Sequence, residues 1–579
     1  MNYSFKEKNL LWVLYLIPIF FFLYFIIVFT VNAPRGDEFS IFTRISAFEN
    51  QDNFISKIVE LSKKGTEHVP IYFQSIYTLY YKLFGPINFQ ILAFFANFLL
   101  LPGIILLVFK NFNPKQSKLF LFLPFLWIML SSNYWLVAHW SLTAIQIYSF
   151  ILFSFLSIYF LFAQSFKTFF LAILFGILDC FTIGGGLLAI PLGLLILIYI
   201  SWKNQKMEWV KIVSWIMIFS IVFYIYRNLQ LVENNSINSF SSIFTNPLRY
   251  LNFFFLFLGN SFKHISIFGN HTIIQYLSGI AIVLTFLYLL KEKYFEKNPV
   301  IFFFLLQLIL ISALVSLTRS GSSTPYVERY RFYGNISFAL CILALLDLND
   351  VSEFLKLRAN HVIFTLLVCI TLSLNVYKNL GDAKKHSDDR KYSLAIYQSS
   401  NGPYQFNSPQ EVISAGLGFG IYTVDLGVQR GMYTIPEKYS IKHLPRNKKL
   451  LNQILEDAKK ASFDKFYLEE FRAAEKGHQF RGFLQAYRIP TKKMDIKASI
   501  INQDDNIPLD DISISNFSRT TLHRKHDYLP FSPINLLEIK GNIPREINLQ
   551  NCHLLIEYGL IGKRTANRDT IFNILEKLN

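Results

Sequence analysis

An acidic pair, Asp37 and Glu38, follows the first long apolar stretch of the chain, within V-N-A-P-R-G-D-E-F-S. A carboxylate at a membrane boundary costs much less than one at the bilayer centre, because water is near. Pro34 restricts the backbone and Gly36 permits unusual dihedrals, so this segment favours a fixed turn. Either the pair only makes the loop polar, or Asp37 is a base beside Arg35 that faces a cavity at the outer leaflet.

A second candidate cluster is Glu67 with His68, which precedes an aromatic-rich helix predicted to begin at Pro70. A histidine in that position either caps the helix at the membrane interface or lines a polar pocket together with Asp37. A divalent metal in such a pocket stays open, because the ligand set is too small to assign one.

Three arginines, Arg319, Arg329 and Arg331, lie in T-R-S-G-S-S-T-P-Y-V-E-R-Y-R-F-Y, a predicted external loop. Positive charge outside the membrane runs against the usual bias of membrane proteins. Guanidinium groups match phosphate oxygens well, which favours a phosphate-binding role. The alternative is that these side chains extend to anionic lipid at the interface.

A fourth pattern is D-C-F-T-I-G-G-G-L-L-A-I-P-L-G, which begins at Asp179. Its three glycines divide a very long apolar run into two spans. They predict either a tight hairpin turn or a close approach of the backbone to a bound lipid headgroup. Asp179 itself is an acid within an apolar segment.

The elements that must position these residues are membrane helices. Hydrophobic residues make up 52% of the 579 residues and charged residues only 16%. The apolar residues fall in blocks of roughly 17–25, the length that crosses a bilayer as a helix. The basic residues are scattered and many occupy short loops, so the net charge of +17 does not indicate nucleic-acid binding. Lys6 and Lys8 precede the first span and predict a cytoplasmic N-terminus.

We expect a mostly α fold: a polytopic bundle of about eleven spans over residues 1–380, with an external loop at 32–86. Residues 69–84 are predicted to form a juxtamembrane or re-entrant helix and 249–259 a half-helix. An odd number of spans leaves the C-terminus outside. The predicted spans are 9–31, 87–109, 119–133, 141–163, 168–183, 186–201, 209–226, 272–290, 298–317, 332–348 and 360–378.

Residues 383–579 have frequent charges and no apolar block of membrane length, which predicts a soluble extracytoplasmic domain. N-K-K-L-L-N-Q-I-L-E-D-A-K-K has helical spacing, whereas F-Y-L-E-E-F and H-L-L-I-E-Y read as strands. We therefore predict a mixed α/β domain. The four cysteines show no CxxC or Cys/His spacing, so neither a disulfide framework nor a zinc site is indicated.

Taken in order, the acidic pair, E-H-V-P, G-G-G-L-L-A-I-P and E-R-Y-R resemble the motifs of the GT-C superfamily of polytopic glycosyltransferases, over roughly residues 1–380. More closely, the chain looks like poorly characterised bacterial members. It departs from their pattern at Val69, where an arginine is common, and at Glu328, where a small residue is usual.

The resemblance implies a multi-pass protein of the bacterial inner membrane that takes a sugar from a polyprenyl phosphate. The sugar would pass to a cell-envelope glycan or lipid acceptor at the outer face. Asp37 would be the base, with Glu38 as the substitute. A phosphate leaves readily, so one carboxylate suffices. Arg329 and Arg331 would neutralise the charge that grows on the leaving phosphate. Arg35 and Arg319 would also bind the substrate. Glu67 and His68 would position the acceptor or a metal.

The sequence leaves three other functions open. A transporter or flippase for a lipid-linked glycan would need ionisable residues within its spans, and Asp179 is the one good candidate. A polysaccharide polymerase or ligase would use external arginines without a base in the first loop. A scaffold without catalysis would only display its external domain.

Overall fold

The computed structural model divides into two compact units. The first comprises Met1–Asn32, Gln51–Tyr80 and Asn88–Ser387, and the second Ala33–Asn50, Tyr81–Ile87 and Asp388–Asn579. The structure describes residues 5–62, 69, 71–112, 121–229, 246–262, 271–320, 328–348, 378–388, 390–391, 394 and 421–439, and seven strands between 463 and 573.

Helices dominate the first unit. An α-helix satisfies every backbone hydrogen bond internally, which apolar surroundings require. The helices, numbered along the whole chain, are α1 (Phe5–Phe29), α3 (Phe54–Ser62), α4 (Ile71–Phe84), α5 (Phe89–Phe95), α6 (Leu101–Phe112), α7 (Leu123–Met129), α8 (Trp135–His139), α9 (Ser141–Phe162), α10 (Phe166–Cys180), α11 (Ala189–Lys203), α12 (Trp209–Leu229), α13 (Pro247–Leu258), α14 (His271–Lys291), α15 (Tyr294–Lys297), α16 (Pro299–Arg319) and α17 (Arg331–Leu348). The last residues of α4 belong to the second unit.

Within the described residues, eight helices are long and apolar enough to cross a membrane. The chain is accordingly a multi-pass membrane protein. Large apolar side chains such as Trp12, Phe20 and Leu284 are exposed on these helices, as lipid contact requires. The eight segments are Trp12–Phe29, Phe89–Phe112, Ser141–Phe162, Gly184–Lys203, Trp209–Leu229, Thr272–Lys291, Pro299–Arg319 and Glu328–Leu348.

Three of the eleven predicted spans have no counterpart among these eight. In the described part of the range 119–133, the longest helix is Leu123–Met129, with 7 residues. The predicted span 168–183 is covered by Phe166–Cys180, a helix of 15 residues, which is short for a crossing. The predicted span 360–378 lies almost entirely outside the described residues. The count of eleven, and the membrane and orientation in which the helices insert, therefore stay predictions.

Two glycines let helices α13 and α14 approach each other closely. A Cβ atom added to Gly259, just after α13, would lie 1.7 Å from the carbonyl oxygen of Gln275. A Cβ on Gly279 would lie 2.0 Å from the carbonyl oxygen of Phe255. Small residues at helix contacts are how membrane helices bring their backbones together. Neither position has room for a methyl group.

The second unit contains helix α2 (Phe39–Glu49) packed against helix α18 (Ile421–Gln429). The Phe42 ring occupies the space that a side chain at Gly427 would need, 2.8 Å from the added Cβ. The backbone N–H of Ile87 donates to the carbonyl of Met432, 2.7 Å apart. Pieces of the chain that are distant in sequence thus form one compact unit.

The strands of the second unit form two antiparallel sheets, ordered β1-β2-β5-β4 and β3-β6-β7. F-Y-L-E-E-F lies in β1 and H-L-L-I-E-Y lies in β6, whereas the N-K-K-L-L segment lies outside the described residues. The extracytoplasmic α/β domain over 383–579 stays a prediction. The strands are β1 (Phe463–Ala474), β2 (Gly477–Tyr487), β3 (Met494–Asn502), β4 (Ile512–Phe517), β5 (Ile534–Pro544), β6 (Cys552–Leu560) and β7 (Arg568–Asn573).

Candidate functional site

The acidic pair lies in a 3₁₀ turn, Gly36–Glu38, that leads directly into helix α2. Gly36 has a positive φ of 49°, which few other residues adopt cheaply. The N–H of Glu38 donates to the carbonyl of Arg35, 2.9 Å apart, and the N–H of Arg35 donates to the Glu38 carboxylate, 2.7 Å apart. These two reciprocal bonds close the turn that Pro34 and Gly36 predict.

The two acids of this turn have opposite environments. Glu38 is fully buried, and its side chain serves the backbone of its own turn. Asp37 is exposed, and its carbonyl accepts a hydrogen bond from the Ser40 hydroxyl, 2.7 Å apart. The side chain of Asp37 is open to solvent. Asp37 is therefore the acid available for chemistry, and Glu38 is the acid that holds the turn.

The two arginines of the E-R-Y-R segment also differ in how deeply they are buried. Arg331 is fully buried and donates to the Asn133 carbonyl, 3.2 Å apart, and to Asn379 Oδ1, 3.0 Å apart. It also forms an ion pair with Glu328, with 3.4 Å between Nη2 and Oε1. A guanidinium engaged in this way holds protein groups together. Arg331 thus ties the turn Glu328–Tyr330 into the bundle.

Arg329, two residues earlier, is only partly buried, and its guanidinium carbon lies 5.4 Å from the centre of the Tyr330 ring. Stacking on an aromatic face leaves the N–H groups along the guanidinium edge able to bind an anion. Arg319 is partly buried in the last turn of α16. Of the two arginines in E-R-Y-R, Arg329 is the one that an anionic ligand can reach.

Asparagines around Arg331 form a network that the sequence did not reveal. Asn133 Nδ2 donates to the Ser261 carbonyl, 2.7 Å apart, and to Asn335 Oδ1, 2.8 Å apart. Asn379 Nδ2 lies 3.3 Å from Asn133 Oδ1. The available signal was three amides in or beside apolar segments, where polar groups need partners. The network joins four elements distant along the chain.

The predicted site residues fall in separate parts of the structure. Arg35, Asp37 and Glu38 belong to the second unit, and Arg319, Arg329 and Arg331 to the first. That these two groups meet at one site stays a prediction. Glu67 and His68 lie outside the described residues.

The search for a metal site covers the described part of the chain. Among the residues that the structure describes, no group of three or more His, Cys, Asp and Glu side chains is arranged to hold a metal ion.

No protein-family model, curated protein or solved structure matches this chain.

Proposed function

We propose that this protein is a GT-C-type glycosyltransferase of the bacterial inner membrane. It moves a sugar from a polyprenyl phosphate to a cell-envelope glycan or lipid at the outer face. The observation that carries the proposal is the closed turn Gly36–Glu38, shortly after the first span, with Asp37 exposed and Glu38 buried. A rigid carboxylate at the end of a membrane span suits a substrate whose reacting group lies at the headgroup level.

The proposed reaction requires one general base from the protein and no general acid. Asp37 accepts the proton of the acceptor hydroxyl as the new glycosidic bond forms and the bond from the anomeric carbon to phosphate oxygen breaks. The polyprenyl phosphate leaves with the electron pair, so a general acid is not needed. Glu38 is a positioning residue, because it fixes the backbone on which Asp37 stands.

Arg329 is the proposed counter-ion for the leaving phosphate. Negative charge grows on that group as the bond breaks, and a guanidinium with free edges stabilises it. Arg331 takes a different role in this proposal, since Nη1 and Nη2 of its guanidinium already bind Asn133, Asn379 and Glu328. It positions the turn that carries Arg329.

The N-terminus is proposed to be cytoplasmic and residues 383–579 to form the extracytoplasmic domain. This orientation follows from Lys6 and Lys8 before the first span and from the other basic loops. It brings the first loop to the outer face, where lipid-linked sugars are used.

The substitution Asp37→Asn tests the proposal. Full-length protein in lipid vesicles is given synthetic polyprenyl-phosphate sugars, and release of polyprenyl phosphate with formation of a glycoside is measured. We expect the rate to fall about 10²–10⁴-fold, the usual contribution of a positioned general base. Asp52→Asn, an exposed acid past the end of α2, is the matched control and should leave the rate unchanged. A folded Asp37→Asn protein with undiminished transfer would contradict the proposal.

A transporter of lipid-linked glycans is the second candidate function. It is favoured by the full burial of Asp179 among the membrane helices. Translocation of a fluorescent lipid-linked sugar across the vesicle bilayer, retained in Asp37→Asn and without glycoside formation, would favour this reading. A polymerase or ligase would instead retain transfer in Asp37→Asn and lose it in Arg329→Gln.

A further inference from the structure

Asp179 is an acid enclosed within the helical bundle. It lies near the C-terminal end of α10 and is fully buried. Its Oδ2 accepts a hydrogen bond from the Ser154 hydroxyl on α9, 2.6 Å apart. Ser154 Oγ in turn accepts from Gln307 Nε2 on α16, 3.2 Å apart. Three helices therefore contribute polar groups to one buried cluster.

Two oxygens of this cluster lack a donor. Asp179 Oδ1 and Gln307 Oε1 are both buried, and within the described part of the chain neither has a hydrogen-bond partner. Gln307 also lines a cavity of about 10 Å³, together with Ser154, Ser157 and otherwise apolar residues, which is roughly the space for one water molecule. Unpaired buried acceptors cost free energy, so these two oxygens favour a hydrogen-bond donor or a cation as a partner.

No positive side chain in the described part of the chain forms an ion pair with Asp179. None of the ion pairs among the described residues includes it. Within the described residues, Cys180 on its own helix and Tyr333 on α17 interact with it electrostatically, and neither becomes positive. A lone carboxylate charge inside an apolar bundle is strongly unfavourable. Among the described residues, no protein cation neutralises this charge.

The glycine-rich hairpin fixes the position of this acid. A Cβ atom on Gly186 would lie 1.9 Å from the carbonyl oxygen of Asp179. The same carbonyl accepts from the Thr182 hydroxyl, 2.7 Å apart, and Cys180 Sγ donates to the Gly186 carbonyl, 3.6 Å apart. The turn after α10 folds tightly back on Asp179, so the carboxylate is held by a rigid backbone.

We propose that Asp179, Ser154 and Gln307 form a site within the bundle that takes up one small monovalent cation, either a proton or Na⁺. A proton would bond to Asp179 Oδ1 and remove the charge. Na⁺ would be held by Asp179 Oδ1 and Gln307 Oε1, with a water in the adjacent cavity. The site is independent of the proposed transferase chemistry, so failure of either proposal leaves the other standing.

The test is thermal unfolding of the full-length protein in detergent. NaCl is replaced stepwise by choline chloride at constant ionic strength, at a series of pH values. If Na⁺ binds, the unfolding midpoint rises with Na⁺ concentration. If a proton binds, the midpoint falls as pH rises, irrespective of Na⁺, and an infrared band of a protonated carboxylic acid is present. Asp179→Asn should abolish whichever dependence is found, together with that band.

Two further variants keep the test decisive. Ser157→Ala removes a hydroxyl from the same cavity, but that hydroxyl donates to the Ala172 carbonyl, 2.8 Å apart, so the cation response should be unchanged. Gln307→Met keeps the length and removes the amide oxygen. If Na⁺ binds, this variant should raise the Na⁺ concentration of half-maximal effect about tenfold or more, the equivalent of one lost ligand contact. Gln307→Met also replaces Asp179→Asn as the test of Na⁺ binding if Asp179→Asn does not fold.

The proposal is overturned if the wild-type midpoint responds to neither Na⁺ nor pH and the carboxylic acid band is missing. It is also overturned if a folded Asp179→Asn protein keeps the full response, or if a response to Na⁺ is unchanged in folded Gln307→Met. A response lost equally in Ser157→Ala would assign the effect to packing around the cavity and would count against the proposal as well.

Discussion

Glu38 and Asp179 are both fully buried carboxylates, yet the chain holds them in opposite ways. Glu38 binds the backbone N–H of Arg35, three residues earlier in the same turn. Asp179 binds the hydroxyl of Ser154, 25 residues away on another helix, and Gln307 reaches that hydroxyl from a third. The first acid depends on local chain geometry and the second on the tertiary packing of the bundle.

This difference means that the two acids should respond to different kinds of substitution. A local hydrogen bond survives small shifts between helices, whereas a cluster built from three helices does not. The helices around Asp179 also pack against glycines that leave no free space. Disturbing the packing should therefore affect Asp179 much more than Glu38.

The largest effect is expected for Gly186→Ala. The new methyl group would lie 1.9 Å from the carbonyl oxygen of Asp179, so the backbone of the hairpin must move. We expect a loss of about 3 kcal/mol in the free energy of unfolding, at the upper end for an overpacked site, measured by denaturation in detergent. At Gly185 the added methyl would meet only the tip of the Phe150 ring, at 3.3 Å, so Gly185→Ala should cost clearly less. Equal losses in the free energy of unfolding for the two variants would show that the close contact between Gly186 and Asp179 does not fix the hairpin.

A smaller effect is expected for Ser154→Ala. Removing this hydroxyl deprives Asp179 Oδ2 of its donor and leaves a buried carboxyl oxygen unsatisfied. The expected loss is about 2 kcal/mol in the free energy of unfolding. The control Ser157→Ala removes a hydroxyl that donates to a backbone carbonyl and should cost about half as much. The same cost for both serines would argue against a special role for the Asp179 cluster.

The smallest effect is expected for Glu38→Gln. The amide oxygen can still accept from the N–H of Arg35, so the turn persists, but a bond to a charged acceptor becomes a neutral one. The free energy of unfolding should fall by about 1 kcal/mol. Glu38→Ala, which removes the acceptor altogether, should cost about twice that. If Glu38→Gln costs as much as Glu38→Ala, then the charge and not the local bond holds this acid.

The difference between local contacts and tertiary contacts also explains which features could be predicted from the sequence. The apolar blocks locate eight of the helices because their length and composition act locally. Pro34 and Gly36 predict a turn for the same reason, and the turn is present. The sequence does not reveal which acid of the pair is buried, because that depends on how α2 packs within its unit.

Prediction from sequence fails where distant segments meet. Arg329 and Arg331 look equivalent in E-R-Y-R, but Asn133 and Asn379 bury Arg331 and leave Arg329 partly exposed. Ser154 and Gln307 carry no local sign that they share a partner. A polar residue in a membrane helix predicts that a partner exists, and only the packing identifies it.

The glycine contact between α13 and α14 has a mechanical consequence. With the backbone of Gly259 against Gln275 and that of Gly279 against Phe255, no acyl chain can wedge between these helices. Such a pair resists sliding, because any displacement drives carbonyl oxygens into neighbouring main chain. If the bundle changes shape during a working cycle, these two helices must travel as one rigid body, and the bending must occur elsewhere.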